Sequence, residues 1–224
     1  ALKTEDTSGS ATAIGYQALR VQNSGGSNSH NSAVGAGAGA SITTGNQNTI
    51  FGSAAADALT DADFNVAMGY NALSSDTLGS KSTALGTDTL ATQNFTTATD
   101  SFNTAVGYQA GKSVTTGAQN TFVGGLAGDA TTDGDANIAL GYGALGANTI
   151  GSKSVAVGME ALANQNPATA ADMFNTAVGH DAGFNVTTGI ENTIVGGRAG
   201  DALTTGQENV AIGQQALTAD TKGN

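Results

Sequence analysis

The sequence predicts an all-β protein, a parallel β-solenoid of about twelve rungs. A pentapeptide that ends with Gly, and that begins with Asn or Ser in every unit except the first, recurs every 17 residues, with a longer interval of 21 residues once in each 72-residue copy. Its middle positions are mostly β-branched or apolar, which suits a short strand. The chain holds 33 Gly and no apolar spacing of three and four residues, so propensity and periodicity both argue against helix.

The repeat occupies residues 11–224, which we interpret as a single solenoid domain, and residues 1–10 form a polar N-terminal lead-in. Each copy consists of three units of 17 residues and one of 21, and a 20-residue unit precedes the first copy. The copies run from Asn31 to Phe102, from Asn103 to Phe174, and from Asn175 onward. Positions are numbered below from the first residue of each unit, so Asn103 occupies position 1.

Position 1 predicts a ladder inside the solenoid. Amide side chains stacked at strand spacing can hydrogen-bond to the rungs above and below. A row of glycans is the alternative, but none of these Asn residues begins an Asn-x-Ser/Thr sequence. The nine are Asn31, Asn48, Asn65, Asn103, Asn120, Asn137, Asn175, Asn192 and Asn209.

Positions 3, 4 and 8 are all apolar. Position 4 is bulky in every unit, and we expect it to face the core. Position 3 points to the other side of the strand and is Ala in most units, with Ile50, Phe122 and Ile194 as exceptions. Position 8 is also usually Ala. Because a strand that is apolar on both faces is normally covered on both, we expect the alanines to lie outside and to be covered by further copies of the chain.

Two corners are predicted in each rung. Gly fills position 5 in every unit, and Thr-Thr-Gly recurs at positions 13 to 15, for example from Thr115 to Gly117. A glycine that returns at the end of each strand marks a bend that a Cβ atom would obstruct.

The rungs Asn103 to Gly107 (N-T-A-V-G), Ser154 to Gly158 (S-V-A-V-G) and Asn209 to Gly213 (N-V-A-I-G) resemble the head repeats of YadA-like trimeric autotransporter adhesins. The longer stretch Asn103 to Gly117 is similar to repeat arrays in phage-type tail-fibre proteins. The resemblance covers nearly the whole chain. It implies a homotrimer of left-handed parallel β-rolls, located extracellularly on a bacterial cell surface or a virion fibre, with a host or cell-surface glycan or protein as its partner.

Composition narrows the function further. A net charge of −11 argues against nucleic acid as a partner, because phosphates require a basic surface. The chain lacks Cys, which excludes disulfides and thiolate metal sites. Since no apolar run approaches the roughly 18 residues of a membrane span, we expect no membrane insertion of this segment.

No grouping of Ser, His and carboxylate residues indicates catalysis, so we expect the chain not to be an enzyme and to need no cofactor. Acidic turns are the candidates for a metal site, because Ca²⁺ favours several oxygen ligands from one loop. We favour the alternative interpretation, solvated turn carboxylates. The candidates are Asp57, Asp61 and Asp63 in the first copy and Asp129, Asp133 and Asp135 in the second.

The long units carry inserts, and loops on a rigid scaffold often carry binding residues. The inserts are Val21 to His30, Thr92 to Phe102 and Asn164 to Phe174. Candidate receptor contacts are Asn94, Phe95, Asn164 and Asn166 in the inserts, and Tyr108 and His180 at position 6. An alternative stays open, in which Phe95, Phe102, Met173 and Phe174 pack back against the coil.

We therefore expect a rigid repeat rod from a surface adhesin or phage-type fibre, which mediates adhesion by multivalent contacts. The alternative function is ice binding, because Thr recurs at position 13 and would stack into a regular rank. The rank comprises Thr43, Thr60, Thr77, Thr115, Thr132, Thr149, Thr187, Thr204 and Thr221.

Overall fold

A computed structural model describes residue 2, residues 10–25 and residues 28–223. The predicted lead-in, residues 1–10, lies mostly outside the described residues. Within them the protein is all-β, without a helix, and it is the predicted parallel β-solenoid. The chain divides into two compact units, Ala1–Gln109 and Ala110–Asn224, and each contains six strands of the main sheet. The assignment of residues 11–224 to one domain stays a prediction.

In the first unit, six three-residue strands form the main parallel sheet, in the order β1-β2-β3-β4-β6-β8. Neighbouring rungs pair residue for residue, so that Ala67 lies beside Ala84. The short strand β7, near the end of the insert, pairs with the short strand β5 of the preceding rung. The strands are β1 (Thr12–Ile14), β2 (Ser32–Val34), β3 (Thr49–Phe51), β4 (Val66–Met68), β5 (Gly79–Ser80), β6 (Thr83–Leu85), β7 (Thr99–Asp100) and β8 (Thr104–Val106).

The second unit repeats this arrangement. Its main sheet has the order β9-β10-β12-β14-β15-β16, and β11 pairs with β13. The strands are β9 (Thr121–Val123), β10 (Ile138–Leu140), β11 (Gly151–Ser152), β12 (Val155–Val157), β13 (Ala171–Asp172), β14 (Thr176–Val178), β15 (Thr193–Val195) and β16 (Val210–Ile212).

The asparagine ladder is confirmed. Asn48 is fully buried, and its backbone N–H and Nδ2 both donate to Oδ1 of Asn31, at 2.8 and 3.1 Å. Oδ1 of Asn48 in turn accepts the backbone N–H of Asn65 at 2.9 Å, while its Nδ2 also donates to the carbonyl oxygen of Ala62 at 2.8 Å. Each amide thus satisfies backbone groups of two rungs that are buried away from water.

The glycine corner after each strand is also confirmed. Gly124 has a φ of 133°, and a Cβ atom placed on it would lie 2.6 Å from the carbonyl oxygen of Gly141 in the next rung. Position 5 therefore requires Gly for two reasons, the backbone conformation and the close approach of the neighbouring rung.

The prediction of which strand face lies inside is wrong. Position 3 is buried in the coil, as in Ala67, Ala105 and Phe122, each fully buried, and so is Ala at position 8. Position 4 points outward, with Ile14 60% exposed and Phe51 55% exposed. The alanines are therefore covered by their own chain, and the bulky residues at position 4 form the surface. Position 4 comprises Ile14, Val34, Phe51, Met68, Leu85, Val106, Val123, Leu140, Val157, Val178, Val195 and Ile212.

The interior is narrow because a series of tight turns packs against the sheet. In the rung that starts at Asn120, Ala127 donates to the carbonyl of Gly124 and Thr131 donates to that of Gly128. Position 9, which lies inside, has a positive φ even where it is Leu, as in Leu145 at 53°. That conformation costs a non-glycine residue about 1–2 kcal/mol. Burial of the Leu side chain, roughly 1.5–3 kcal/mol, offsets it.

Where a unit starts with Ser instead of Asn, a buried Gln completes the ladder. Nε2 of Gln165 donates to Ser154 Oγ at 3.0 Å and to Asn148 Oδ1 at 3.3 Å, and Oε1 of Gln165 accepts Nδ2 of Asn175 at 2.9 Å. The first copy has the same arrangement around Gln93, with Asp76 in place of Asn148. The long units therefore keep the interior hydrogen-bonded despite the missing amide.

The inserts pack partly back onto the coil, which the sequence left open. Phe95 is 7% exposed and Met173 is fully buried, whereas Phe102 and Phe174 stay about half exposed, at 50% and 51%. Lys153 Nζ lies 2.6 Å from Asp172 Oδ2 and 5.3 Å from the centre of the Phe174 ring. This contact ties the insert to the preceding rung.

Candidate functional site: an uncharged apolar sheet face

The outward residues of the sheet form the most distinctive surface of each unit. We call the residues at positions 2, 4 and 6 the outer sheet face. Of sixteen exposed large apolar residues among the described part of the chain, all but Phe64, Phe102 and Phe174 belong to it. They include Met68 and Tyr70 in the first unit and Tyr142 and Ile212 in the second.

The strand period places these residues together. Positions 2 and 4 lie on the same side of a strand because side chains alternate, and position 6 follows the glycine corner. In-register pairing then stacks equal positions roughly 4.8 Å apart along the sheet, as with Phe51 beside Met68 and Val178 beside Val195. Each compact unit thus presents three parallel columns. Position 2 is mostly Thr or Val, position 4 is bulky and apolar, and position 6 is mostly aromatic or small.

The outer sheet face carries no Asp, Glu, Lys or Arg at any of its positions in the described rungs. The carboxylates that give the chain its charge of −11 lie in the turns and inserts instead. His180 is its one titratable imidazole among the described residues, and Nδ1 of His180 lies 3.0 Å from Asp181 Oδ2 at the edge of the face. An uncharged surface with many exposed apolar side chains can be buried against another surface without desolvating a charge.

The predicted receptor contacts do not form one site. Tyr108, 57% exposed, and the exposed His180 both belong to the outer sheet face. Asn166 is exposed in an insert, where its Oδ1 accepts the Thr149 hydroxyl at 2.7 Å. Phe95 is buried and does not offer its ring as a contact. Asn94 and Asn164 are half-buried and bound to neighbouring rungs.

The acidic turns are hydrogen-bonded between rungs. Asp133 Oδ1 accepts the hydroxyls of Thr115 and Thr116 at 2.5 and 2.7 Å, and these bonds lower the pKa of the Asp133 carboxyl. Asp135 Oδ1 accepts the backbone N–H of Ala118 at 2.7 Å.

In the first copy, Asp61 Oδ1 accepts the hydroxyl of Thr44, and Asp63 Oδ1 accepts the backbone N–H of Asn46 at 2.8 Å. Burial raises the pKa of Asp57 and of Asp129. Across the described residues, no three His, Cys, Asp or Glu side chains come together in a way that could hold a metal ion.

The threonine rank is hydrogen-bonded internally as well. The hydroxyl of Thr132 donates to the carbonyl oxygen of Thr149 at 3.1 Å, and that of Thr187 donates to Thr204 at 3.1 Å. These hydroxyls serve the contact between rungs, so they are not free donors on the surface.

A second feature, a depression of about 250 Å³ in the second compact unit, was not predicted. Its lining residues are Glu160, Asp181, Phe184, Asn185, Arg198 and Asp201. The sequence carries a signal for it, because Glu160 and Asp181 both occupy position 7 in successive units. Two carboxylates at the same position of neighbouring rungs are unusual, since rungs stack in register.

No family model, curated protein or solved structure matches this chain. The described part of the chain includes no helix whose length and apolar character would let it cross a membrane.

Proposed function

We propose that the chain is a structural attachment segment whose copies associate through the outer sheet face into a homotrimer. The observation that carries this proposal is the separation of charge from apolar surface. The exposed aliphatic and aromatic side chains gather on one uncharged face of each unit, and the carboxylates lie elsewhere. Contiguous exposed apolar patches on soluble proteins mark interaction sites.

Self-association through this face follows from the charge. Two identical chains that each carry −11 repel one another, and contact through the acidic turns would also desolvate carboxylates. The outer sheet face avoids the cost of desolvation because it has no charged side chain, and it keeps the acidic turns out of the contact. Interfaces between identical subunits are more apolar than ordinary protein surface, as this face is. Three copies are proposed because the sequence resembles the repeats of trimeric adhesin heads.

The proposed setting is extracellular, on a bacterial surface or a virion fibre, where the assembly attaches to a glycan or protein of another surface. No catalytic step is part of this proposal. Repetition of equivalent rungs supports attachment by many weak contacts, because linked contacts raise avidity without any deep pocket. Exposed turns and inserts, including Asn166 and the half-exposed Phe174, remain available for such contacts when the outer sheet face is covered.

Sedimentation equilibrium of the purified chain tests the assembly. We expect a trimer mass for the native chain and a monomer mass for Val178→Lys, which places a charge in the middle of the outer sheet face. The control is Thr188→Lys, which adds the same charge at an exposed turn position and should leave the trimer intact. A native monomer, or dissociation by both variants alike, contradicts the proposed interface.

Attachment is tested separately with beads that carry the native chain or a denatured sample. Retention of native beads on bacterial or host cells, reduced by soluble native chain, is the expected result. Ice binding is not proposed, because the threonine hydroxyls donate to the neighbouring rung. Thermal hysteresis in solution would contradict this choice.

A further inference from the structure

His180 is the one side chain of the outer sheet face, among the described rungs, that can change charge near neutral pH. The face has no Asp, Glu, Lys or Arg, and histidine is the residue whose charge ordinarily changes between about pH 5 and 8. Position 6 carries uncharged residues in the other rungs, such as Tyr142 in the same compact unit. The His180 side chain is 53% exposed, so a partner that covers the face also covers the imidazole.

The backbone holds His180 in register with the neighbouring rungs. Asp181 donates its backbone N–H to the carbonyl oxygen of Met159 at 3.0 Å, and Arg198 donates to that of His180 at 2.7 Å. Met159 and Gly197 therefore flank His180 at position 6. Gly197 has no side chain, and Met159 offers only a weak acceptor, its thioether sulfur. The flanking side chains thus give Nε2 of His180 no strong acceptor.

The charged groups beside His180 lie at position 7, in the turn that follows the outer sheet face. They are Asp181 in the same rung, Glu160 in the preceding rung and Arg198 in the next. Asp181 Oδ2 lies 3.0 Å from His180 Nδ1, and Arg198 Nε donates to Asp201 Oδ2 at 3.3 Å. A protonated His180 has a carboxylate at Nδ1 and still needs an acceptor for its second N–H, at Nε2.

Association through the outer sheet face affects the two forms of the imidazole differently. Burial of the neutral ring desolvates one uncharged polar edge, at a modest cost. The protonated ring brings a charge and a second N–H donor into a contact whose faces have no carboxylate, and an imperfectly paired charge is far more costly to bury. Asp181 offsets only part of this cost, because it lies at the edge of the face and meets Nδ1 alone.

The total charge of the chain changes in the opposite sense. Protonation of both imidazoles reduces the net charge from −11 to −9 (−11 + 2), which weakens the repulsion between copies. Mild acidification would by this effect favour association. A loss of association therefore identifies a protonated group within the contact itself.

We propose that protonation of His180 separates the subunits, so that this residue makes the assembly, and with it multivalent attachment, dependent on pH. The inference rests on the proposed association through the outer sheet face. It assigns the neutral form of His180 to the assembled state and the protonated form to the separated chain.

Sedimentation equilibrium of the full chain at about pH 7.5 and about pH 5.5 tests this dependence. We expect the association constant of the native chain to fall about a hundredfold at the lower pH, because each of the three copies must release a proton to assemble. Circular dichroism spectra should be the same at both pH values, since unfolding would contradict an effect at the interface. Equal association at both pH values overturns this inference alone, whereas a native monomer at about pH 7.5 overturns the proposed function as well.

Two variants locate the effect. His180→Tyr gives position 6 the residue that Tyr142 provides in the same compact unit, and its association constants at the two pH values should agree within about threefold. His30→Gln removes the other imidazole, which is exposed in an insert, and should keep the native response. The backbone φ of His30, 52°, is close to that of Gln47, 56°, so Gln suits the position. A native pH response in His180→Tyr, or its loss in His30→Gln, overturns the assignment.

Discussion

Gly124 and Gly125 are neighbours in the chain that face different constraints. Gly124→Ala would place a Cβ atom 2.6 Å from the carbonyl oxygen of Gly141 at a φ of 133°, so the backbone of two rungs must separate. We expect a loss of at least about 3 kcal/mol in the free energy of unfolding, since backbone strain and lost packing coincide.

Gly125→Ala is the matched control. Its added Cβ would meet the Tyr142 ring at 3.5 Å, which is ordinary contact, and its φ is not in the left-handed region. We expect a change within about 1 kcal/mol, in the stabilising direction, because Ala restricts the unfolded chain. Chemical denaturation of both variants measures the difference, and equal destabilisation would contradict the role given to position 5.

Asn48 tests the ladder. Asn48→Ala removes the acceptor for the backbone N–H of Asn65 and the donor to the carbonyl of Ala62, and both groups are buried. We expect a loss of roughly 2–4 kcal/mol, since each unsatisfied buried group costs about 1–3 kcal/mol. Hydrogen exchange of the Asn65 amide should accelerate as well. Asn28→Ala, at an exposed position, should change neither quantity, and a neutral Asn48→Ala would argue against the ladder as a source of stability.

Two turn carboxylates should respond to pH in opposite ways. Burial raises the pKa of Asp129 above its unfolded value of 3.8, so the charged form lowers stability at neutral pH. That loss is recovered as pH falls through the raised pKa, because the folded chain takes up the proton first. Asp129→Asn should therefore raise the melting temperature at pH about 7, with the gain shrinking as the solution is acidified.

For Asp133 the effect of pH on stability has the opposite sign. The hydroxyls of Thr115 and Thr116 lower its pKa, so its charged form stabilises the fold above the unfolded pKa, and this contribution disappears as pH falls through the lowered pKa. Asp133→Asn should lower the melting temperature at neutral pH and have no effect in strong acid. Melting curves of the two variants across pH check both signs, and a parallel response would contradict the assignment.

At the scale of the rung, residue sizes at positions 3 and 9 compensate each other. In one rung Ala139 at position 3 occurs with Leu145 at position 9, and in the preceding rung Phe122 occurs with Gly128. Leu145 and Gly128 both have a positive φ, 53° and 58°. A Cβ atom on Gly128 would lie 2.5 Å from Cε1 of Phe122. A large side chain at position 3 therefore leaves no room for a large one at position 9.

This compensation predicts a strong coupling between two substitutions. Phe122→Ala should cost about 3–5 kcal/mol by leaving a cavity, and Gly128→Leu should cost about 1–3 kcal/mol or more by overpacking. The double variant reproduces the Ala and Leu pair of the next rung, so it should be more stable than either single variant. Urea denaturation of all four chains gives the coupling energy. Additive losses would show that the two positions do not share one space.

Positions 3 and 9 also explain why the two strand faces were assigned wrongly from the sequence. Both faces are apolar, and size alone placed the bulky position 4 inside and Ala at position 3 outside. The interior takes its large residues mainly from the turns instead, from position 9 as in Leu145 or from position 12 as in Leu59. The pairing of Ala with Leu, and of Phe122 with Gly128, is visible in the sequence and could have located the interior.

Other parts of the rung could be predicted because a backbone requirement determines them. Gly at position 5 permits the backbone bend at the end of each strand, and Asn at position 1 hydrogen-bonds to backbone groups of neighbouring rungs. Their period therefore predicted the number of rungs and the ladder. The depression around Glu160 and Asp181 could not be found in this way. Side chains from several rungs line it, so locating it requires the register of the turns as well as that of the strands.

For the whole molecule, the charge of −11 and the uncharged outer sheet face together predict the salt dependence of the proposed self-association. Like-charged copies repel over the Debye length, which falls from about 30 Å at 0.01 M ionic strength to about 8 Å at 0.15 M. Association through an uncharged face should therefore become tighter as salt is added, because screening weakens the repulsion and there are no interfacial ion pairs to weaken. Sedimentation equilibrium across this range measures the association constant.

A variant with fewer charges provides the control for this prediction. Asp61→Asn combined with Asp63→Asn removes two carboxylates from a turn outside the outer sheet face, so association should be tighter at low salt and less sensitive to added salt. Tighter association at low salt in the native chain would mean that ion pairs hold the copies together. The turns and inserts would then be the contact surface, because they carry the charged side chains.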